Sequence, residues 1–132
     1  EYFHLSYRKE ARGIGGIFFD HLTEDLEGTL SFQEDFGTNL LAAYVPIVRR
    51  RMSSETSAEN ERWHLQRRGR YVEFNLLHDR GTRFGLQTGG RLESILVSMP
   101  PRVRWDYQAE PEAGTPEHTL LAMVRGEPRD WV

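Results

Sequence analysis

Arg70-Tyr71-Val72-Glu73-Phe74-Asn75-Leu76 is the stretch whose reading decides the fold. Val72, Phe74 and Leu76 alternate with Tyr71, Glu73 and Asn75, a period of two that predicts a strand with two unlike faces. Working outward, Asp79-Arg80-Gly81-Thr82 predicts a turn, and Arg83 to Thr88 a second strand with Phe84 and Leu86 on one side. Gly89-Gly90 then predicts a turn into a strand from Leu92 to Met99, which Pro100-Pro101 ends. Val103, Trp105 and Tyr107 alternate with Arg102, Arg104 and Asp106 as a fourth strand. Four strands with short connections predict an antiparallel meander.

The flanks read differently. Phe32, Phe36, Leu40, Tyr44 and Val48 recur at i+4 spacing after the capping-box pattern Ser31-Phe32-Gln33-Glu34. They predict an amphipathic helix that reaches Arg49-Arg50-Arg51, with a kink near Pro46. Thr23 to Thr29 predicts a polar connection before it. Thr56-Ser57-Ala58-Glu59 offers a second cap, for a shorter helix carrying Trp63 and Leu65. Glu117 to Val124 predicts a last short helix. Gly13-Ile14-Gly15-Gly16-Ile17-Phe18-Phe19-Asp20 suits a buried strand, and residues 1–12 are charged and mixed. The expected class is α+β, helices covering an antiparallel sheet.

Length and charge bound the function. A chain of 132 residues holds one modest domain, and a net charge of −3 with no RNA-binding motif argues against a nucleic-acid partner. No run approaches the roughly 20 apolar residues of a membrane span. Cysteine is absent, which removes disulfides, thiol nucleophiles and cysteine metal sites, and fits a reducing, cytoplasmic setting. Of 17 basic residues only Lys9 is lysine. From Arg49 to Arg104 twelve arginines face six acids, whereas acids dominate both flanks. High-GC coding is one reading of the arginine usage; an anionic partner for the basic middle is the other, since the planar guanidinium grips carboxylates and phosphates in pairs of hydrogen bonds.

Within the expected hairpin, Glu73, Asn75, Arg83 and Gln87 share one polar face, with Asp79, Arg80 and Arg91 at strand ends. A solvated sheet face with turn residues is one reading; a ligand cleft is the other. Gly89-Gly90 before Arg91 permits close approach to the main chain, and Arg91 is placed to hold a carboxylate. Asp79 is suited to acid–base work, with Arg80 beside it to keep it ionised. Gly13-Ile14-Gly15-Gly16 lacks the context of a phosphate loop. The five histidines show no metal-binding spacing, and His78 reads as a turn histidine in water.

Several longer motifs occur in one order: Arg12-Gly13-Ile14-Gly15-Gly16-Ile17-Phe18-Phe19-Asp20, Arg67-Arg68-Gly69-Arg70-Tyr71-Val72-Glu73-Phe74-Asn75, Asp79-Arg80-Gly81-Thr82, Gly85-Leu86-Gln87-Thr88-Gly89-Gly90-Arg91, Glu93-Ser94-Ile95-Leu96 and Arg129-Asp130-Trp131-Val132. Together they resemble the oxygen-dependent coproporphyrinogen III oxidases, over nearly the whole chain. The resemblance implies an enzyme of haem biosynthesis that converts two propionates of coproporphyrinogen III to vinyl groups. It implies protoporphyrinogen IX as product, O2 as oxidant and no organic cofactor. It also implies a cytoplasmic homodimer, with Tyr71 to Asp106 matching the part associated with dimerisation. Gly89, Gly90 and Arg91 match the substrate-binding triplet, and Asp79 and Arg80 a motif expected in the cleft. There Asp79 would orient or deprotonate a pyrrole N–H, and Arg80 would anchor a propionate.

Two features depart from the family pattern. Residues 1–132 match a C-terminal part of one domain, and the family's proton-donating histidine belongs to a preceding part. Leu5-Ser6-Tyr7-Arg8 stands where the family writes Leu-x-His-Arg. Tyr7 thus replaces a histidine assigned as ligand to a divalent metal in bacterial members. Tyrosine is a poor ligand at neutral pH, which argues against metal binding here. The alternative expectation is a truncated, non-catalytic module that binds a tetrapyrrole or dimerises.

Overall fold

The computed structural model describes residues 2–14 and 17–127. Gly15, Gly16 and the motif Arg129-Asp130-Trp131-Val132 lie outside the described residues. The chain forms two compact units: residues 16–56, and residues 1–15 together with 57–132.

The first of these units is dominated by one helix, α1 (Leu26–Arg51). Asp25 caps it, accepting a hydrogen bond from Gly28 N at 2.8 Å, so the helix starts inside the expected connection and Ser31 lies in its interior. Arg49, Arg50 and Arg51 occupy the last turn, where the helix dipole favours cations. The helix continues through Pro46, and none of its residues is buried. The i+4 row is nevertheless present on it, and Phe32 meets the Phe19 ring edge-on at 6.0 Å. Residues 17–20, expected as a buried strand, have no strand structure, and Ile17, Phe18 and Phe19 are exposed.

The second unit holds the remaining elements. Two-residue strands β1 (His4–Leu5) and β2 (Glu10–Ala11) pair antiparallel, His4 opposite Ala11 and Leu5 opposite Glu10. Between them Lys9 turns the chain at φ 53°, its N–H donating to Ser6 O. Helix α2 (Ala58–Leu77) begins with a reciprocal capping box between Ser57 and Asn60. Helices α3 (Arg80–Gln87) and α4 (Leu92–Leu96) follow, and α5 (Pro116–Arg125) fulfils the expectation of a last short helix.

The class is α+β, helices with a small antiparallel sheet, but the sheet is not where the alternation put it. The expected strands at 70–76, 83–88 and 92–99 are corrected to the end of α2, to α3 and to α4, and residues 102–107 are irregular. The physical reason is visible along α2. A run of seven residues supplies too few repeats to outweigh a capped helix already propagating from Ser57, and Arg, Glu and Leu are all good helix formers. Within the helix Arg70 reaches Glu73 at i+3, and Asn75 Nδ2 donates to Tyr71 O at i+4, 2.8 Å away.

The core of this unit is small. Leu5 and Phe74 are fully buried, joined by Val72, Leu121 and Val124. Tyr2 and Phe3 each lie 5.5 Å from the Phe74 ring, and the Arg12 guanidinium stands over Phe3 at 4.2 Å. Residues 102–107 lie against α2, with Arg104 N donating to Leu65 O. Gly69 makes that approach possible: a Cβ there would stand 2.7 Å from the Arg104 carbonyl oxygen.

Candidate functional site

Asp79 and Arg80 sit where α2 gives way to α3. Asp79 is the N-cap of α3, its Oδ2 accepting from Thr82 N at 2.7 Å. Tyr2 Oη donates to Asp79 Oδ1 at 3.3 Å and accepts from Arg80 N at 3.0 Å. The Arg80 guanidinium rests 4.8 Å over the Tyr2 ring. Burial alone would raise the Asp79 carboxyl. Hydrogen bonds from Thr82 and Tyr2, with the Arg12 charge, outweigh it and hold the group below its ordinary range. Asp79 is therefore a carboxylate at neutral pH.

Gly89, Gly90 and Arg91 follow the other end of α3. Gly89 has φ 71°, which turns the chain out of the helix, and Gly90 N donates to Gly85 O at 3.0 Å. A Cβ on Gly90 would meet that same oxygen at 3.0 Å and Ile95 Cδ1 at 3.2 Å, so Gly90 is a packing residue here. Arg91 is the N-cap of α4 through its carbonyl, which accepts from Ser94 N and Ile95 N, while its side chain is exposed. The two parts of the sequence-derived site thus stand at opposite ends of an eight-residue helix, about 12 Å long. The shared polar hairpin face of Glu73, Asn75, Arg83 and Gln87 does not form, because these residues belong to α2 and α3.

A second cluster of charge was not visible in the sequence. Glu10, on β2 and 3 % exposed, accepts from Arg67 Nη1 at 2.9 Å and Arg70 Nε at 3.1 Å, with Arg125 Nε 3.5 Å away. Glu73 accepts from Arg8 Nε at 2.6 Å and from Trp105 Nε1 at 3.3 Å. Burial would raise Glu73, but Arg8, the Tyr7 hydroxyl and Arg70 hold it below the usual range. Desolvation and the bond to Glu73 push the Tyr7 phenol up to about 12. Arginines 67 and 70 were part of the basic middle; their partners lie far away in sequence, so only the fold reveals the cluster.

His78 is corrected as well. It is the C-cap of α2, its ring stacked 5.6 Å from Tyr7 and tilted 6.0 Å from Phe74, with Nε2 buried and lacking a hydrogen bond among the described residues. Tyr7, at the position of the family's histidine, keeps its proton, and among the described residues no three of His, Cys, Asp and Glu converge.

These features define an arginine-rich α+β unit, with paired guanidiniums inside it and exposed ones at the ends of α3. A family model described as coproporphyrinogen III oxidase matches residues 1–131. The chain belongs to the coproporphyrinogen III oxidase family, oxidoreductases of haem biosynthesis whose substrate is coproporphyrinogen III.

Proposed function

We propose that this chain is the C-terminal part of an oxygen-dependent coproporphyrinogen III oxidase. The family match over residues 1–131 carries the reading. At each of two propionates, the bond from the α-carbon to the carboxylate breaks to release CO2, and a hydride equivalent leaves the β-carbon next to the ring. O2 takes up the two electrons and, with protons, becomes hydrogen peroxide, and a vinyl group is left on the ring. No organic cofactor enters this balance.

In this proposal Arg80 and Arg91 hold propionates by charge-assisted hydrogen bonds, and Gly89-Gly90 lets the ring edge approach the backbone. Asp79 accepts from a pyrrole N–H. Three observations support these roles: the exposed Arg91 side chain, the Arg80 guanidinium fixed over Tyr2, and the ionised Asp79. Dimerisation through Tyr71 to Asp106 belongs to the same proposal; Phe84, Leu92 and Val97 in that segment are exposed, as a surface awaiting a second copy would be. The proposal places the enzyme in the cytoplasm, and no described helix is long and apolar enough to cross a membrane.

The test is stoichiometric turnover by the full-length protein. Product, CO2 and peroxide should appear together in air and stop under argon. Turnover that persists without O2 would refute oxygen dependence. Binding of coproporphyrinogen without turnover would favour the non-catalytic alternative. Asp79→Asn should abolish turnover while weakening anaerobic binding less; retained turnover would leave Asp79 as a helix cap alone.

A further inference from the structure

A cavity of about 150 Å³ opens inside the unit that contains β1, β2 and α2, lined by Arg8, Arg67, Arg70 and Arg125 with Trp63 as an aromatic wall. Its acids are already occupied. Both Glu10 oxygens face arginines. Asp106 accepts from Arg62, Gln66 and Arg104, and the two Glu110 oxygens take Arg125 at 2.7 and 2.9 Å.

The donors are not so filled. Arg70 Nη1 is buried and makes no hydrogen bond among the described residues, and Glu73 Oε2 stands 3.6 Å from it. A guanidinium has five N–H donors and no acceptor, so four of them around one cavity exceed what these acids can take. Burial first, then the neighbouring Arg8 charge, lowers the Arg70 pKa. A group in that state gains from an incoming anion.

We infer that this cavity is a binding site for a short aliphatic carboxylate, held by Arg70 with Arg67 and Arg125 around it and Trp63 against its methylene groups. A cavity of roughly 150 Å³ is large enough to bind benzene elsewhere, so a three-carbon acid fits. Two sources share this chemistry: a free small acid, or one propionate arm of the tetrapyrrole. Only the second source rests on the function proposed above.

The experiment titrates the full chain with propionate and with its neutral isostere propionamide at constant ionic strength, following the arginine Nε–H signals by NMR. Saturable shifts of Arg67, Arg70 and Arg125 with propionate, and none with propionamide, are expected. Equal responses to both, or no response, would overturn the site. Arg70→Gln should abolish the response. Should that variant not fold, Gln108→Glu answers the same question: it places a negative charge on an exposed, uncharged lining residue. It should weaken propionate at least tenfold, and unchanged affinity would refute the site.

Coproporphyrin III competing with propionate would assign the site to a tetrapyrrole arm; propionate binding without competition would assign it to a free acid and overturn the arm. The two readings fail separately. Arg91→Ala should weaken porphyrinogen binding and leave the propionate titration unchanged. A dead oxidase that still titrates with propionate counts against the function, not against this cavity.

Discussion

The arginines of α2 and those flanking α3 have the same chemistry and opposite circumstances. Arg67 and Arg70 are each 14 % exposed at the side chain and share Glu10, whereas Arg91 is exposed and forms no ion pair among the described residues. The first group is tied to the fold through Glu10, with Arg70 Nη1 the buried donor left over among the described residues. A buried charge stays only where partners satisfy it, so removing one partner leaves a cost much larger than the pair's net contribution. The second group contributes little to stability and is available to a ligand. The sign of a patch therefore says less than whether its charges are already answered.

Mutations can break this contrast, starting with the largest expected effect. Glu10→Ala strands guanidiniums inside the protein and should cost about 3–5 kcal/mol in urea unfolding. A cost under about 1 kcal/mol, the range of exposed pairs, would place the cluster in water and erase the distinction. Arg91→Ala should leave the unfolding midpoint within about 0.5 kcal/mol of the parent, yet weaken anaerobic porphyrinogen binding by about 2–4 kcal/mol. Binding that does not change removes Arg91 from the site.

Two smaller changes sharpen the boundary between the regions. Gly69→Ala forces a methyl against the Arg104 carbonyl and should destabilise by about 1–3 kcal/mol; a neutral result would show that residues 102–107 do not lie on α2. Asp79→Ala removes the α3 cap and should cost about 1 kcal/mol, whereas Asp79→Asn, also a good cap, should cost a few tenths. Equal losses would mean the charge, not the cap, stabilises that end.

The smallest effect is a slope. Asp106 is held at about 2, chiefly by the hydrogen bond from Arg62, with Gln66 and Arg104 adding to it. An unfolded aspartate titrates near ~3.9. The contribution of this carboxylate is complete above about pH 4 and is lost as pH falls towards 2, because the unfolded chain then binds the proton more readily. Asp106→Asn should flatten the acid limb of a stability–pH curve between those values. An unaltered limb would assign the acid sensitivity to other carboxylates.

Sequence legibility followed the range of the interactions. Residues 117–124 could be read because a helix leaves periodic, local marks, and α1 for the same reason, although its start moved from Ser31 to Asp25. The beginning of α2 was legible in Ser57, but its extent was not, since Val72-Glu73-Phe74-Asn75 fits either period over so few residues. Asp79 shows a deeper ambiguity. An aspartate opening a turn and one capping a helix make the same bond to a backbone N–H two or three residues on, so its element was misread. The strands of two residues each carry no pattern at all. Glu10 was unremarkable in sequence, because its significance lies in guanidiniums 57 and 60 residues away. Family motifs located Arg80 and Arg91; whether those two groups share one ligand is a question of span across α3, which no motif encodes.

The turn between β1 and β2 has a practical consequence for labelling. Lys9, exposed there at φ 53°, is the sole side-chain amine in 132 residues. Within these 132 residues an amine-reactive dye at neutral to mild alkaline pH has no other side-chain target. It would sit one residue from Arg8 and one from Glu10, both of which line the arginine cavity, as a fluorescent reporter that needs no engineered cysteine.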